Sequence, residues 1–195
     1  MKKPWILAIP FLLLVVISCQ SKKKKEAVPK RTSALNFIQS QVAQIDTSLY
    51  SIRKITFIDS MRTDTVYYSR EQFRQLAADF LSLPDISSEE FDGRFKEEEG
   101  FDEMIGRLTI TNLPVKPDAE EIQRQEILIQ PDQQGGGRIT SIIINFNSSN
   151  KDSSVQKRML WQVDKSFQVA TTRQYPGQPE QSSLYRVVWN EEEEQ

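Results

Sequence analysis

Ser21 and Lys24, Ser51 and Lys54, and Ser154 and Lys157 are each three residues apart. On a helix that spacing puts both side chains on one face, where the amine can accept the hydroxyl proton and leave a nucleophile. None of the three has the helix it needs. Ser21 lies in a run of lysines, and Ser154 reads as a loop residue. Ser51 opens a segment of strand character, in which residues three apart point to opposite faces. The SDN and KTG companions of Ser–Lys acylating sites are missing from the chain. A second candidate is the stretch from Asp85 to Glu103, with nine carboxylates. On a strand, Glu97 and Glu99 would share a face about 7 Å apart at about 3.3 Å per residue. Such a pair can do acid–base work on a glycosidic bond or hold calcium. The alternating Asp/Asn and Gly of a calcium loop are absent, and a run of like charge reads first as a solvated face. Gly135–Gly137 could cradle phosphate, but no Lys-Ser/Thr follows and strands flank it, so it reads as a hairpin loop. The absence of His removes imidazole chemistry, and a single Cys removes internal disulfides and CxxC sites. The sequence therefore assigns no catalytic residue, no metal ligand and no cofactor.

One apolar group has two readings. Trp161, Phe167, Tyr185 and Trp189 fall in the last three expected strands. Alternating aromatics usually face a core. If the sheet curves and is only partly covered, the same four line a groove for an acyl chain or a peptide.

The elements that would position these residues are legible from periodicity. Ala34–Ile45 has weak helical character. Ile52–Tyr68 reads as two strands joined by a polar loop at Asp59–Asp64. Ser69 and Gln72 form a capping box, and Phe73, Leu76, Ala77, Phe80 and Leu81 follow at helical offsets until Leu83-Pro84. Ser87–Phe91 is a candidate for a second short helix. Strands are expected around 107–111, 126–130, 139–146, 159–163, 167–171 and 184–189, with a two-residue turn at Asp164-Lys165 and a type II turn at Pro176-Gly177. Short connections mean antiparallel neighbours. The expected fold class is α+β: a meandering antiparallel β-sheet, open to strong curvature, with one main helix packed on it.

The first residues are of another kind. Met1-Lys2-Lys3 precedes an apolar run from Trp5 to Ile17, interrupted by Pro10. Thirteen helical residues reach about 20 Å, short of the roughly 30 Å of a bilayer core. A basic start and a short apolar block are the parts of a secretory signal peptide. The run ends Val16-Ile17-Ser18-Cys19, and Cys19 is the chain's one thiol. Here the chain resembles the bacterial lipoproteins. Val16, Ser18 and Cys19 match their lipobox, whereas Ile17 is larger than the small residue usual there. The resemblance implies cleavage between Ser18 and Cys19, a diacylglycerol on the Cys19 sulfur and a further acyl chain such as palmitate on its amine. It also implies an address. Gln20 is not the Asp that retains lipoproteins in the inner membrane, and lysines replace the acidic motif of surface display. The expected location is the outer membrane, facing the periplasm.

Four parts follow: a signal peptide at 1–18, a lipidated Cys and basic flexible tether at 19–31, one α+β domain at 32–190, and an acidic disordered tail at 191–195. From Thr32 onward the chain has 17 basic and 26 acidic residues, a net charge of −9. No element gathers the basic ones, which excludes the basic face that nucleic acid needs. The expected partners are the membrane, through Cys19, and an envelope protein. The expected role is that of a non-enzymatic binding or scaffolding module; a carrier of lipid in a curved sheet is the alternative.

Overall fold

The computed structural model describes residues 31–133 and 136–190. The leader with Ser18 and Cys19, the tether to residue 30, Gly135 and the acidic tail lie outside the described residues. A helix of 13 residues, α1 (Ala34–Asp46), opens the fold. Ser33 caps it, its Oγ accepting from the Asn36 N–H at 3.0 Å, so one free donor of the first turn is satisfied. Ala34, Ile38, Val42 and Ile45 make its buried stripe at the i, i+4 spacing that faces a core. Next come β1 (Ile52–Phe57) and β2 (Thr63–Tyr68), an antiparallel pair with Ile52 opposite Tyr68 and Phe57 opposite Thr63.

The segment expected to be one helix is divided. A 3-10 turn (Arg70–Gln72) runs into α2 (Phe73–Leu76), and α3 (Ala78–Leu81) follows. The capping box is made: Gln72 Oε1 accepts from the Ser69 N–H at 3.1 Å. The helix breaks at Ala77, whose ψ of 5° leaves the helical range. The Ala77 carbonyl then receives the Phe80 N–H at 3.0 Å, an i to i+3 closure that tightens the turn. Phe73, Ala77 and Phe80 still face the core together, all fully buried. The apolar offsets thus identified the buried face, while a single main helix is not what carries it.

Seven strands complete the chain: β3 (Phe95–Asp102), β4 (Arg107–Pro114), β5 (Ile122–Pro131), β6 (Gly137–Ser149), β7 (Ser154–Gln162), β8 (Ser166–Gln174) and β9 (Gln181–Val188). They form a continuous meander, and β1 pairs along the far side of β9. The result is one nine-stranded antiparallel sheet in the order β2-β1-β9-β8-β7-β6-β5-β4-β3, not closed on itself. The molecule is mainly β with a minor helical part. Strand β3 was not expected, because Lys96–Glu99 has no apolar alternation. Ser154 is the first residue of a strand rather than a loop residue. The β7–β8 connection has three residues, with Asp164 at φ 59°; the extra residue absorbs the left-handed step. The Pro176-Gly177 turn forms as expected, with Gly177 at φ 72° and the Gln178 N–H on the Tyr175 carbonyl at 3.1 Å.

Register builds the core. Ile127, Ile142, Trp161, Phe167 and Val187 stand opposite one another across β5 to β9. Ile144, Met159 and Val169 form the next row on the same face. On this surface Phe80 meets Trp161 and Phe167 edge-on at 5.2 and 5.4 Å between ring centroids, and Phe73 meets Trp189 at 5.1 Å. Truncating a buried aromatic of this kind costs about 3–5 kcal/mol.

Candidate functional site

The structure brings Trp161, Phe167, Tyr185 and Trp189 together, and it places the first two and Trp189 in the buried core rather than in an open groove. Trp161 stacks on Phe167 at 5.3 Å, and Tyr185 meets Phe167 edge-on at 6.2 Å. Helical residues cover them because Phe73 and Phe80 fill the space above. A hydrophobic ligand would have to displace that cover. Asp79 of α3 fastens it to the sheet: its carboxylate accepts from Lys157 Nζ at 2.6 Å and from the Tyr185 hydroxyl at 3.0 Å. Burial first, and then the Asp79 charge and hydrogen bond, push the Tyr185 hydroxyl well above its ordinary pKa. Inside, the Trp161 Nε1–H is enclosed without an acceptor among the described residues.

The chemically suggestive pairs come apart. Lys54 lies on β1 with its Nζ 4.4 Å above the Tyr185 ring, while Ser51 is exposed just before the strand. Lys157 is committed to Asp79, and Ser154 stands three strand residues away. Ser21 and Lys24 lie outside the described residues. Glu97 and Glu99 do share a strand, but both are exposed on the outermost one. Among the described residues no three His, Cys, Asp or Glu side chains converge to hold a metal ion.

The two ends of the open sheet are unlike. At one end β3 carries Lys96, Glu97, Glu98, Glu99 and Asp102, with Lys96 and Glu98 paired at 2.7 Å. Charges along an edge deter pairing with another chain. At the other end β2 reads Thr-Asp-Thr-Val-Tyr-Tyr, and Thr63 to Tyr67 are all exposed. Asp64 is its one charge. Val66 is 43% and Tyr67 67% exposed. The ladder fixes which backbone groups face outward. The Ile58 N–H donates to the Arg62 carbonyl at 2.9 Å, so 58 and 62 are a hydrogen-bonded pair. Alternation along an antiparallel ladder makes 64, 66 and 68 bond to β1. Thr63, Thr65 and Tyr67 therefore turn their N–H and C=O groups away from β1, where no described strand meets them.

The hairpin tip beside this edge is held by Asp59 and exposes two apolar side chains, Ile58 and Met61. Asp59 Oδ1 accepts from the N–H groups of Met61 and Arg62 at 3.0 and 2.9 Å, and Oδ2 from Arg62 Nε at 2.6 Å. The Met61 N–H foremost, and then the Arg62 side chain, hold the Asp59 carboxyl below its usual pKa. Met61 projects at 92% exposure next to Ile58. The chain matches no family model, no curated protein and no solved structure. What can be assigned to it rests on its own residues. The sequence identified β2 as a strand but not as an edge. That status arises from β1 pairing with β9 through residues more than 100 positions apart, and nothing local in 63–68 signals it.

Proposed function

We propose that this chain is a lipid-anchored lipoprotein of the outer membrane, facing the periplasm, that works without catalysis by binding an extended segment of an envelope protein along β2. The observation that carries the reading is the contrast between the two sheet edges: five of the eight residues of β3 are charged, and β2 presents outward backbone groups at Thr63, Thr65 and Tyr67 that no described strand meets. An added strand takes its affinity from such backbone groups and its specificity from alternate side chains. Here those side chains are Val66 on one face and Tyr67 on the other, with Ile58 and Met61 at the end of the row.

The test is site-specific photocrosslinking in cells from position 67. A discrete protein adduct is expected, and Thr65→Pro should abolish it, because proline removes an outward N–H without touching the β1–β2 ladder. Crosslinking that gives no protein adduct, or an adduct indifferent to Thr65→Pro, would refute the edge as the site.

One observation supports a second reading, a carrier of lipid or another hydrophobic ligand. The Trp161 Nε1–H is a buried donor with no acceptor among the described residues. Such a group costs about 1–3 kcal/mol if left unmet, and a ligand carbonyl under the helical cover would meet it. Native mass spectrometry of protein purified from cells decides: a co-purifying lipid favours the carrier, and a bare chain dismisses it.

A further inference from the structure

The sheet has a second face. Phe73 and Phe80 cover the side that bears Trp161 and Phe167. Side chains alternate along a strand. Asn145, next to buried Ile144, and Arg158, next to buried Met159, therefore point to the other side. Register sets two neighbouring rows there. One runs Asn145, Arg158, Ala170 across β6, β7 and β8, and the next runs Asn147, Gln156, Thr172. The rows lie about 7 Å apart along the strands, and the three strands span about 10 Å. A trough of about 390 Å³ opens over them. Asn147, Gln156 and Arg158 are exposed along it, and Ala170 keeps its floor low. Gln123 bounds it at β5, where it is the extra residue of a bulge. The Gln123 amide nitrogen donates to the Pro117 carbonyl at 2.9 Å and to the Glu120 carbonyl, which leaves its oxygen to accept.

The lining is polar, unlike the mostly apolar walls that hold a hydrophobic ligand, and it contains no carboxylate. Lys157 borders the trough, but its Nζ is bound to Asp79 on the covered face. Among the described residues, no hydrogen-bond partner meets the Arg158 guanidinium or the side-chain amides of Asn147 and Gln156. The Asn145 side-chain oxygen is enclosed without a donor. An enclosed acceptor left unmet is unfavourable, and it marks where a donor from a ligand belongs. Side-chain amides hold a donor and an acceptor side by side, so they suit groups that both give and take hydrogen bonds, as hydroxyls do. A guanidinium suits a carboxylate or a phosphate. The backbone groups of β6, β7 and β8 are used in their own ladders, so a peptide strand finds nothing to pair with on this face.

We propose that this trough binds an acidic saccharide, with its hydroxyls on Asn145, Asn147 and Gln156 and its carboxylate or phosphate on Arg158. The site goes beyond the β2 edge and stands independently of it: β2 lies three strand spacings from β8, and no residue of β2 borders the trough.

NMR titration of the full-length chain tests it with glucuronic acid, glucose 6-phosphate, glucose and acetate. At least one of the two acidic sugars should move the side-chain amide signals of Asn145, Asn147 and Gln156 in the millimolar range, and the one that does identifies the acid group. Glucose should bind about tenfold more weakly, for want of the charge-assisted contact, and acetate more weakly still, for want of hydroxyls. Arg158→Gln, a change at an exposed position, should bring the acidic sugar down to the affinity of glucose. Asn145→Ala should weaken acidic sugar and glucose alike, and Arg173→Gln, which alters the opposite face of β8, should leave both unchanged. Acidic sugars that leave these amide signals unmoved, acetate that binds as tightly as the acidic sugar, or binding indifferent to Arg158→Gln would overturn the proposal.

Discussion

Tyr185 is the residue where burial, charge and hydrogen bonding meet most plainly. Its ring packs on Phe167, its hydroxyl donates to Asp79, and Lys54 stands over its other side. Lys157 shares the Asp79 carboxylate, so the hydroxyl is one of two donors on that anion. The folded pKa is raised above the unfolded value of about 10, so the protonated phenol is the form that folding favours. Its contribution to stability is complete below about pH 10 and is lost as pH climbs toward the folded value. Linkage limits the loss to about 1.4 kcal/mol per pH unit, less by the screening of a side chain that water still reaches. Thermal melts from pH 8 to 11 should show Tm falling above pH 10 in the native chain, with a shallower fall in Tyr185→Phe. At pH 7 that variant should melt about 2–4 °C lower, as for the loss of one hydrogen bond. Equal alkaline slopes would remove Tyr185 from this role. None of this was legible in the sequence. Tyr185 was readable as one of four strand aromatics, but Asp79 and Lys157 lie 106 and 28 positions away, and only the fold brings them together.

Elements were legible where local chemistry decides them. The Ser69–Gln72 cap, the Pro176-Gly177 turn and the alternation in β6 to β9 each carry their own signal, and each formed as read. Elements decided by distant partners were not. Strand β3 looks like a solvated acidic run because, as an edge, it buries Phe95 alone. The helix at 73–81 breaks at Ala77, a step that the i, i+3, i+4 pattern does not signal. The same distinction gives a prediction for β2. Thr65 and Val66 are neighbours with similar β character, yet their N–H groups face opposite ways. Thr65→Pro should change Tm by no more than about 3 °C. Val66→Pro removes the N–H that bonds β1 and should cost about 3 kcal/mol, some 6–12 °C in a domain of this size. Similar losses for both variants would mean that the register assumed for the open edge is wrong.

At the scale of the whole molecule, the proposed anchor matters as much as the edge itself. Arg31 donates through Nη2 to the Phe95 carbonyl at 2.9 Å, which fixes the chain at the start of β3. Within the described fold, β2 lies eight strand spacings from β3 along the sheet. In the proposed lipoprotein, the 12 residues from Cys19 to Lys30 can span at most about 40 Å, which bounds the layer the domain occupies. Confinement to that layer concentrates a partner in the same membrane without adding a contact. The anchor and the edge should therefore be separable. Replacing residues 1–19 with a leader that is fully removed should shift the protein from the membrane fraction to the soluble periplasm. The position-67 adduct in cells should fall at least tenfold, while the purified chain should bind the captured partner with unchanged affinity. Intact mass of the native membrane-bound form should show a diacylglycerol and a further acyl chain on a chain beginning at Cys19. A free thiol with residues 1–18 still attached would remove the proposed anchor and leave the edge to be judged by its own test. An adduct unchanged by release from the membrane would show that affinity alone, and not confinement, brings the partner to β2.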